Sequence, residues 1–373
     1  MGSQNDKDPV LRSVEKASHF IHQHFLPILI VAYLLAGTMP AFGVWLRQIK
    51  FGAVHWPDGS TIAISPSLIM LSFLLFNAGL GIQTKELIHI RKKPIILLSG
   101  FIANIAVPIV LVLALGSVMH QWHNADELQN LLVGLALIVS MPIAGSSAAW
   151  SQNANGNLSL SLGLVLLSTV LSPVTTPTVM DIFSSLTTGD YSSDLRELAT
   201  QGTDAFIMIT VVLPSLLGVL VHFVMGNRIA LRVKPYLKLI NFIFLLLLNY
   251  SNGSSALPQS FSKPDPDFLG FILTTTIILC SATFGAGWLI SKCLKTDRAD
   301  QAALMFGLGM NNNGTGLVLA AATLSDHPSV MLPMIFYTLA QQVIAGIVDW
   351  KLFRNSEDSE QSETAKDQKV RAL

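Results

Sequence analysis

The sequence predicts an all-α integral membrane protein: ten transmembrane helices as a 5+5 inverted repeat, with two broken, crossing helices, the fourth and the ninth. Three observations carry this reading. Apolar residues make up 51% of the chain, charged residues only 12%, and mean hydropathy is +0.54, against roughly 25% charged residues in a soluble domain. The 373 residues leave room for about ten spans of roughly 20 residues each, with little left for a soluble domain. Two runs, Met141-Pro-Ile-Ala-Gly-Ser-Ser-Ala-Ala-Trp-Ser-Gln-Asn-Ala-Asn-Gly-Asn157 and Gly307-Leu-Gly-Met-Asn-Asn-Asn-Gly-Thr-Gly316, interrupt apolar surroundings with small and amide residues. They lie about half a chain apart.

Taken in order, residues 1–24 form a cytoplasmic N-terminal segment. There Asp8-Pro9 offers a cap and a first-turn proline, and Val10, Leu11, Val14, Ala17, Ile21 and Phe25 recur at helical spacing, which predicts an interfacial helix. The apolar run that follows continues to Leu46, so it spans the membrane and is not a cleaved leader. A transporter domain occupies 25–353. Repeat one (25–184) has spans at 25–46, 67–83, 94–119, 128–150 and 158–184; repeat two (203–353) has them at 203–226, 234–253, 266–293, 300–323 and 329–353. Between the first two spans, Pro57-Asp-Gly59 separates two short alternating runs and predicts a small external β-hairpin. Residues 354–373, rich in Ser, Glu, Asp, Gln and Lys, predict a disordered cytoplasmic tail.

Orientation follows from lysine and arginine, which resist translocation. Of the 23 such residues, only Arg47, Lys50, Arg196 and Lys263 fall on one side, Lys238 lies within the seventh span, and the other eighteen share the side of both termini. The expectation is a multi-pass protein of the cell membrane with both termini cytoplasmic. Cys280 and Cys293 are too few and too badly placed for a disulfide framework or a thiolate metal site. His120, His123, Asp126 and Glu127 read as a solvated external loop, and His222 as a core residue. No nucleophile–base pair or His-Glu-x-x-His motif is present, so the chain reads as no enzyme. No nucleic-acid partner and no resident cofactor are expected; the partners are the lipid bilayer and a small solute, and oligomeric state is left open.

Interrupted backbone is tolerated at membrane depth only where it lines a cavity or touches protein. Five helices per unit force the second repeat to insert upside down, which brings the two breaks back to back. Half-helix N-termini then offer partial positive charge to an anion, and unwound carbonyls can hold a cation. The expected substrate-binding residues are Gly145 and Ser146, opening the second half of the fourth helix, and Asn312, Asn313, Gly314 and Thr315, opening that of the ninth. Trp150 lies near the first break and reads as core packing or a cavity wall.

Gly156-Asn157-Leu-Ser-Leu-Ser161, Leu167-Ser-Thr-Val-Leu-Ser-Pro173 and Gly309-Met-Asn-Asn-Asn-Gly314, with Phe76-Asn-Ala-Gly-Leu-Gly81 and Val212-Leu-Pro-Ser-Leu-Leu-Gly218, resemble the bile acid:sodium symporter family over about residues 20 to 353. The resemblance implies a ten-helix transporter with panel and core domains that moves organic anions with sodium by alternating access. It also implies a sodium set: Ser147, Ser161, the Met310 carbonyl, Asn311 and, one position out of register, Asn104. The chain departs from the pattern: Ala148 and Val165 stand where the family has Asn and Thr, Gly307 where a glutamate is expected and Asn311 where a glutamine is, and Asn104 is the only candidate for a further glutamine expected in the third helix. No Asp, Glu, Lys or Arg lies in either interruption. Sodium held by neutral oxygens, sodium-independent or proton-coupled transport (with Asp204 a candidate coupling residue), and a non-transporting membrane sensor all stay open at this point.

Overall fold

Apolar helices dominate the computed structural model, which describes residues 24–57, 59–82, 93–119 and 121–354, with 14, 16–17 and 20–21. In order these are α1 (Phe25–Thr38), α2 (Ala41–Gln48), β1 (Gly52–His55), β2 (Thr61–Ile64), α3 (Pro66–Leu80), α4 (Pro94–Met119), α5 (Ala125–Ser140), α6 (Ser146–Asn153), α7 (Leu158–Ser184) and α8 (Gly189–Thr200). Then come α9 (Thr203–Gly226), α10 (Arg232–Ser262) and α11 (Pro266–Cys293). The last are α12 (Arg298–Gly309), α13 (Asn313–Thr323) and α14 (Leu332–Val348), the last flanked by a 3-10 turn at Pro328–Met331 and a π turn at Asp349–Arg354. Among the described residues, six helical stretches are long and apolar enough to cross a membrane, and α1 with α2 makes a seventh if that bent pair is one span. Large apolar side chains such as Ile95, Val110, Phe223 and Val224 stand exposed on the outer faces, as lipid contact requires. The expected interfacial helix and the C-terminal tail lie almost wholly outside the described residues.

Side-chain caps begin six of the helices. Ser65, Asn124, Asn157, Asp265, Asp297 and Asn312 each accept from a backbone N–H in the first turn of the helix they precede, which answers donors that a helix start leaves free. The expected hairpin forms, with β1 and β2 antiparallel and Ala53 opposite Ala63.

Two groups of helices emerge from the packing. In one, α9 and α10 pack on α1, α2 and α3; in the other, α4 to α7 pack with α11 to α14. Small residues set the closest approach in the first group: a Cβ at Gly79 would lie 2.0 Å from the Ser215 carbonyl oxygen, and one at Gly218 2.0 Å from that of Phe76. Backbone-to-backbone contact of this kind needs glycine on both helices. The groups meet where α10 lies along α13 and where Arg47 Nη2 donates to the Ala321 carbonyl at 2.6 Å.

Three expectations need correction. The first span is not one straight helix, because α1 and α2 meet at 86° around Met39-Pro40. α10 braces the bend: Tyr250 Oη donates to Met39 O, just past the end of α1, at 2.5 Å, and Ser251 Oγ to Gly43 O in the first turn of α2 at 3.1 Å. Hydrogen bonds of this kind keep α10 helical to Ser262, beyond the boundary expected at 253, although Asn252-Gly-Ser-Ser reads locally as a loop. The link 185–202 contains α8, an amphipathic helix that buries Leu195 and Leu198. Gly226, at φ 71° and ψ 162°, turns the chain from α9 towards α10 in a conformation that favours glycine.

Candidate functional site

Both interruptions are real breaks, and they bind each other. Residues 141–145 separate α5 from α6, and residues 310–312 separate α12 from α13. Ile143 and Asn311 form an antiparallel bridge; Ala144 N donates to Met310 O at 2.9 Å, and Asn312 N to Pro142 O at 2.9 Å.

The other groups freed by the first break are answered from α7 and from the second break. Thr176 Oγ1 donates to Ser140 O at 2.7 Å, and Ile143 N donates to Ser168 Oγ at 3.1 Å. Asn311 Nδ2 donates to Ile138 O at 3.0 Å. This accounts physically for Ser168 and Thr176, whose hydroxyls meet a neighbouring break where water cannot supply the bonds, whereas Ser172 bonds Thr169 O of its own helix. Gln341 of α14 completes the set. Its Oε1 accepts from Asn311 N at 3.2 Å and Asn313 Nδ2 at 3.4 Å. Sequence reasoning passed over Gln341, whose signal is a buried amide inside an apolar helix.

The expected substrate residues divide by accessibility. Gly145 and Ser146 are exposed, and Asn312 and Gly314 are half-buried, so these four border open space at the crossing. Asn313 and Thr315 turn inwards, 2% and 0% exposed. The Asn312 amide has a defined polarity. Its Oδ1 caps α13 by accepting from Thr315 N at 3.4 Å, which leaves Nδ2, a donor only, for a ligand. Both bundles border the site: Ala78 Cβ of α3 lies 3.3 Å from a Cβ at Gly145, and Leu248 Cδ2 of α10 lies 3.9 Å from one at Gly314.

The expected sodium residues sit on four elements of the second group. Asn104 is on α4, Ser147 on α6, Ser161 on α7, and Met310 and Asn311 follow α12. α7 packs against α4, α6 and α12, and α12 packs against α4 and α6. The side-chain oxygens of Asn104, Ser147, Ser161 and Asn311 are all buried with no hydrogen-bond partner. A buried oxygen left in this way costs about 1–3 kcal/mol. The Met310 carbonyl is engaged by Ala144 N and keeps one lone pair. Where the expected glutamate is missing, the space is partly filled, since a Cβ at Gly307 would lie 3.0 Å from Leu164 Cδ1. Leu164 belongs to an apolar cluster with Phe101, Val165 and Leu308.

A buried carboxylate ties the start of α12 to the starts of α4 and α7. Asp300, 1% exposed, lies in the first turn of α12. It accepts from Lys93 Nζ at 2.5 Å and from Asn157 Nδ2 at 2.7 Å. Asn157 N donates to Ala299 O at 2.8 Å while its Oδ1 caps α7. Lys93, in the link before α4, has its ammonium pKa raised by the hydrogen bond to Asp300, with burial opposing. The Gly-Asn-Leu-Ser run thus joins α7 to α12.

Half-helices bound break to break within a bundle of apolar helices are the architecture of a multi-pass membrane transporter. The sequence profile of the SBF-like CPA transporter family matches residues 23–352, and the chain belongs to that family. It is 27% identical to the uncharacterized protein YbaS of Bacillus subtilis (strain 168) over 329 residues, 86% of this chain and 96% of that one. It is 25% identical to the uncharacterized sodium-dependent transporter YocS of the same organism over 294 residues, 78% of this chain and 84% of that one.

Proposed function

We propose that the protein is a secondary transporter that moves a small organic anion across the cell membrane by alternating access, with both termini cytoplasmic. In this reading ten spans form a 5+5 inverted repeat, α5 with α6 and α12 with α13 each counting as one broken span. The group containing the breaks rocks against the group containing α10. The observation that carries the reading is the crossing itself: the breaks that precede α6 and α13 bond each other, Gly145, Ser146, Asn312 and Gly314 beside them stay at least partly exposed, and no acidic side chain lies in either break. Helix N-termini with donor amides suit a carboxylate or sulfonate.

Sodium is the coupling ion in this account, held by neutral oxygens. Its support is the four unpartnered oxygens on Asn104, Ser147, Ser161 and Asn311, together with the printed description of YocS as sodium-dependent. A second reading, transport without sodium, is favoured by Leu164, which occupies space beside Gly307 that a carboxylate ligand would need.

Protection of the purified protein against thermal unfolding tests the solute class. Small carboxylates and sulfonates are expected to raise the transition temperature in a concentration-dependent way, and their neutral amides to leave it unchanged, because a ligand stabilises the state that binds it. Protection by neutral or cationic solutes alone contradicts the anion reading.

A further inference from the structure

One face of α10 carries a polar stripe that the fold does not use. Asn241, Asn252 and Ser255 recur at intervals that place them on a single side of the helix, with the apolar Leu248 between them. The opposite side is spent on packing: Tyr250 bonds Met39 O, Gly253 touches Tyr33 and Ala36, and Ser254 sits against Gly43. Leu248 fixes the direction of the stripe, since its Cδ2 lies 3.9 Å from a Cβ at Gly314 in the first turn of α13.

Asn252 lies one turn further along that face and is 0% exposed. Both Oδ1 and Nδ2 are buried without a hydrogen-bond partner; among the described residues no other side-chain amide has both atoms so left. Asn241 Oδ1 and Ser255 Oγ, on either side of it, are also buried and unpartnered. Unpaired amides in a low-dielectric interior are destabilising unless a partner supplies the missing bonds. The neighbouring polar side chains of α10 already have partners: Tyr250 and Ser251 bond Met39 O and Gly43 O, Asn249 bonds Tyr33 Oη and Leu245 O, and Ser254 bonds Tyr250 O. The stripe faces away from α1 and α2, on the side where Leu248 approaches α13.

We propose that Asn252, with Asn241 and Ser255, forms the wall of the solute path opposite the crossed breaks and selects solutes bearing a hydroxyl or carbonyl group beside their carboxylate. This rests on the organic-anion reading above. The crossing supplies donors for the negative charge. The stripe has no charge and offers an amide, donor and acceptor together, which matches a hydroxyl that is both as well.

Single cysteines test this in the full-length protein, reconstituted in liposomes, with exposed Cys293 replaced by Ser and buried Cys280 retained. Asn252→Cys is compared with Ile243→Cys, a position on α10 that is 50% exposed on the outer surface. A charged, water-borne thiol reagent is expected to modify position 252 at least about tenfold faster than position 243, since only a hydrated thiol ionises readily. Lactate is expected to slow that reaction at about tenfold lower concentration than propionate, which lacks the hydroxyl. Asn252→Leu, with Asn312 intact, is expected to bring the two acids to equal affinity in the thermal assay. Labelling at 252 no faster than at 243 overturns the wall assignment. Equal protection by both acids overturns the hydroxyl recognition. Protection by neither, with fast labelling retained, contradicts the anion reading and the selectivity built on it, and leaves the wall assignment standing.

Discussion

Asn312→Ala is expected to weaken binding of the transported anion roughly 10- to 150-fold, the equivalent of losing one hydrogen bond to a charged group, about 1.5–3 kcal/mol. The amide performs two tasks from one side chain. Its oxygen caps α13 through Thr315 N, and its Nδ2 is left facing the crossing. Asn312→Asp separates them, because a carboxylate still caps the helix but brings negative charge and no donor to the solute. Binding should therefore fall at least as far in Asn312→Asp as in Asn312→Ala, while thermal stability falls less. Solute affinity unchanged in both variants would remove Asn312 from the site.

Lys93→Met has the largest expected effect on stability. It leaves the Asp300 carboxylate buried with only Asn157 as a side-chain partner. Stripping the partner from a buried charge typically costs about 3–5 kcal/mol, and because Lys93 is partly exposed the lower end, about 3 kcal/mol, is expected. Adding Asp300→Asn removes the stranded charge and should return part of that loss, so the double variant should be more stable than Lys93→Met alone. Additive losses would show that the pair does not act as a unit.

Both breaks are legible in the sequence because a bilayer leaves few uses for runs of glycine, serine and asparagine inside apolar helices. Met141–Ala144 and Met310–Asn312 bind each other in the expected region. Asn157, Asp297 and Asn312 also cap the helices they precede, a role that the sequence reading did not assign to them. What was hidden depends on partners distant in the chain. Asn249 to Ser255 look like the end of a span until the bent α1–α2 pair supplies the Met39 and Gly43 carbonyls that Tyr250 and Ser251 bond. The helix α8 is polar over most of its surface and holds its place through Leu195 and Leu198, too few apolar positions to stand out. Gln341 was missed because its partners, Asn311 and Asn313, belong to a break about one helix earlier in the chain. The sodium residues could be listed from resemblance. Only the structure reveals that Asn104, Ser147, Ser161 and Asn311 share one condition, an oxygen buried without a partner.

That condition makes a direct test possible before any solute is known. Thermal unfolding of the detergent-solubilised protein is compared in sodium, potassium and choline chloride at equal ionic strength, for the native protein and for the Ser147→Ala, Ser161→Ala double variant. An ion present at about ten times its dissociation constant stabilises the binding state by roughly 1.4 kcal/mol. The account predicts a sodium-specific rise in the native protein that the double variant loses. The same transition temperature in all three salts, at high sodium concentration, would contradict a sodium site built from neutral oxygens.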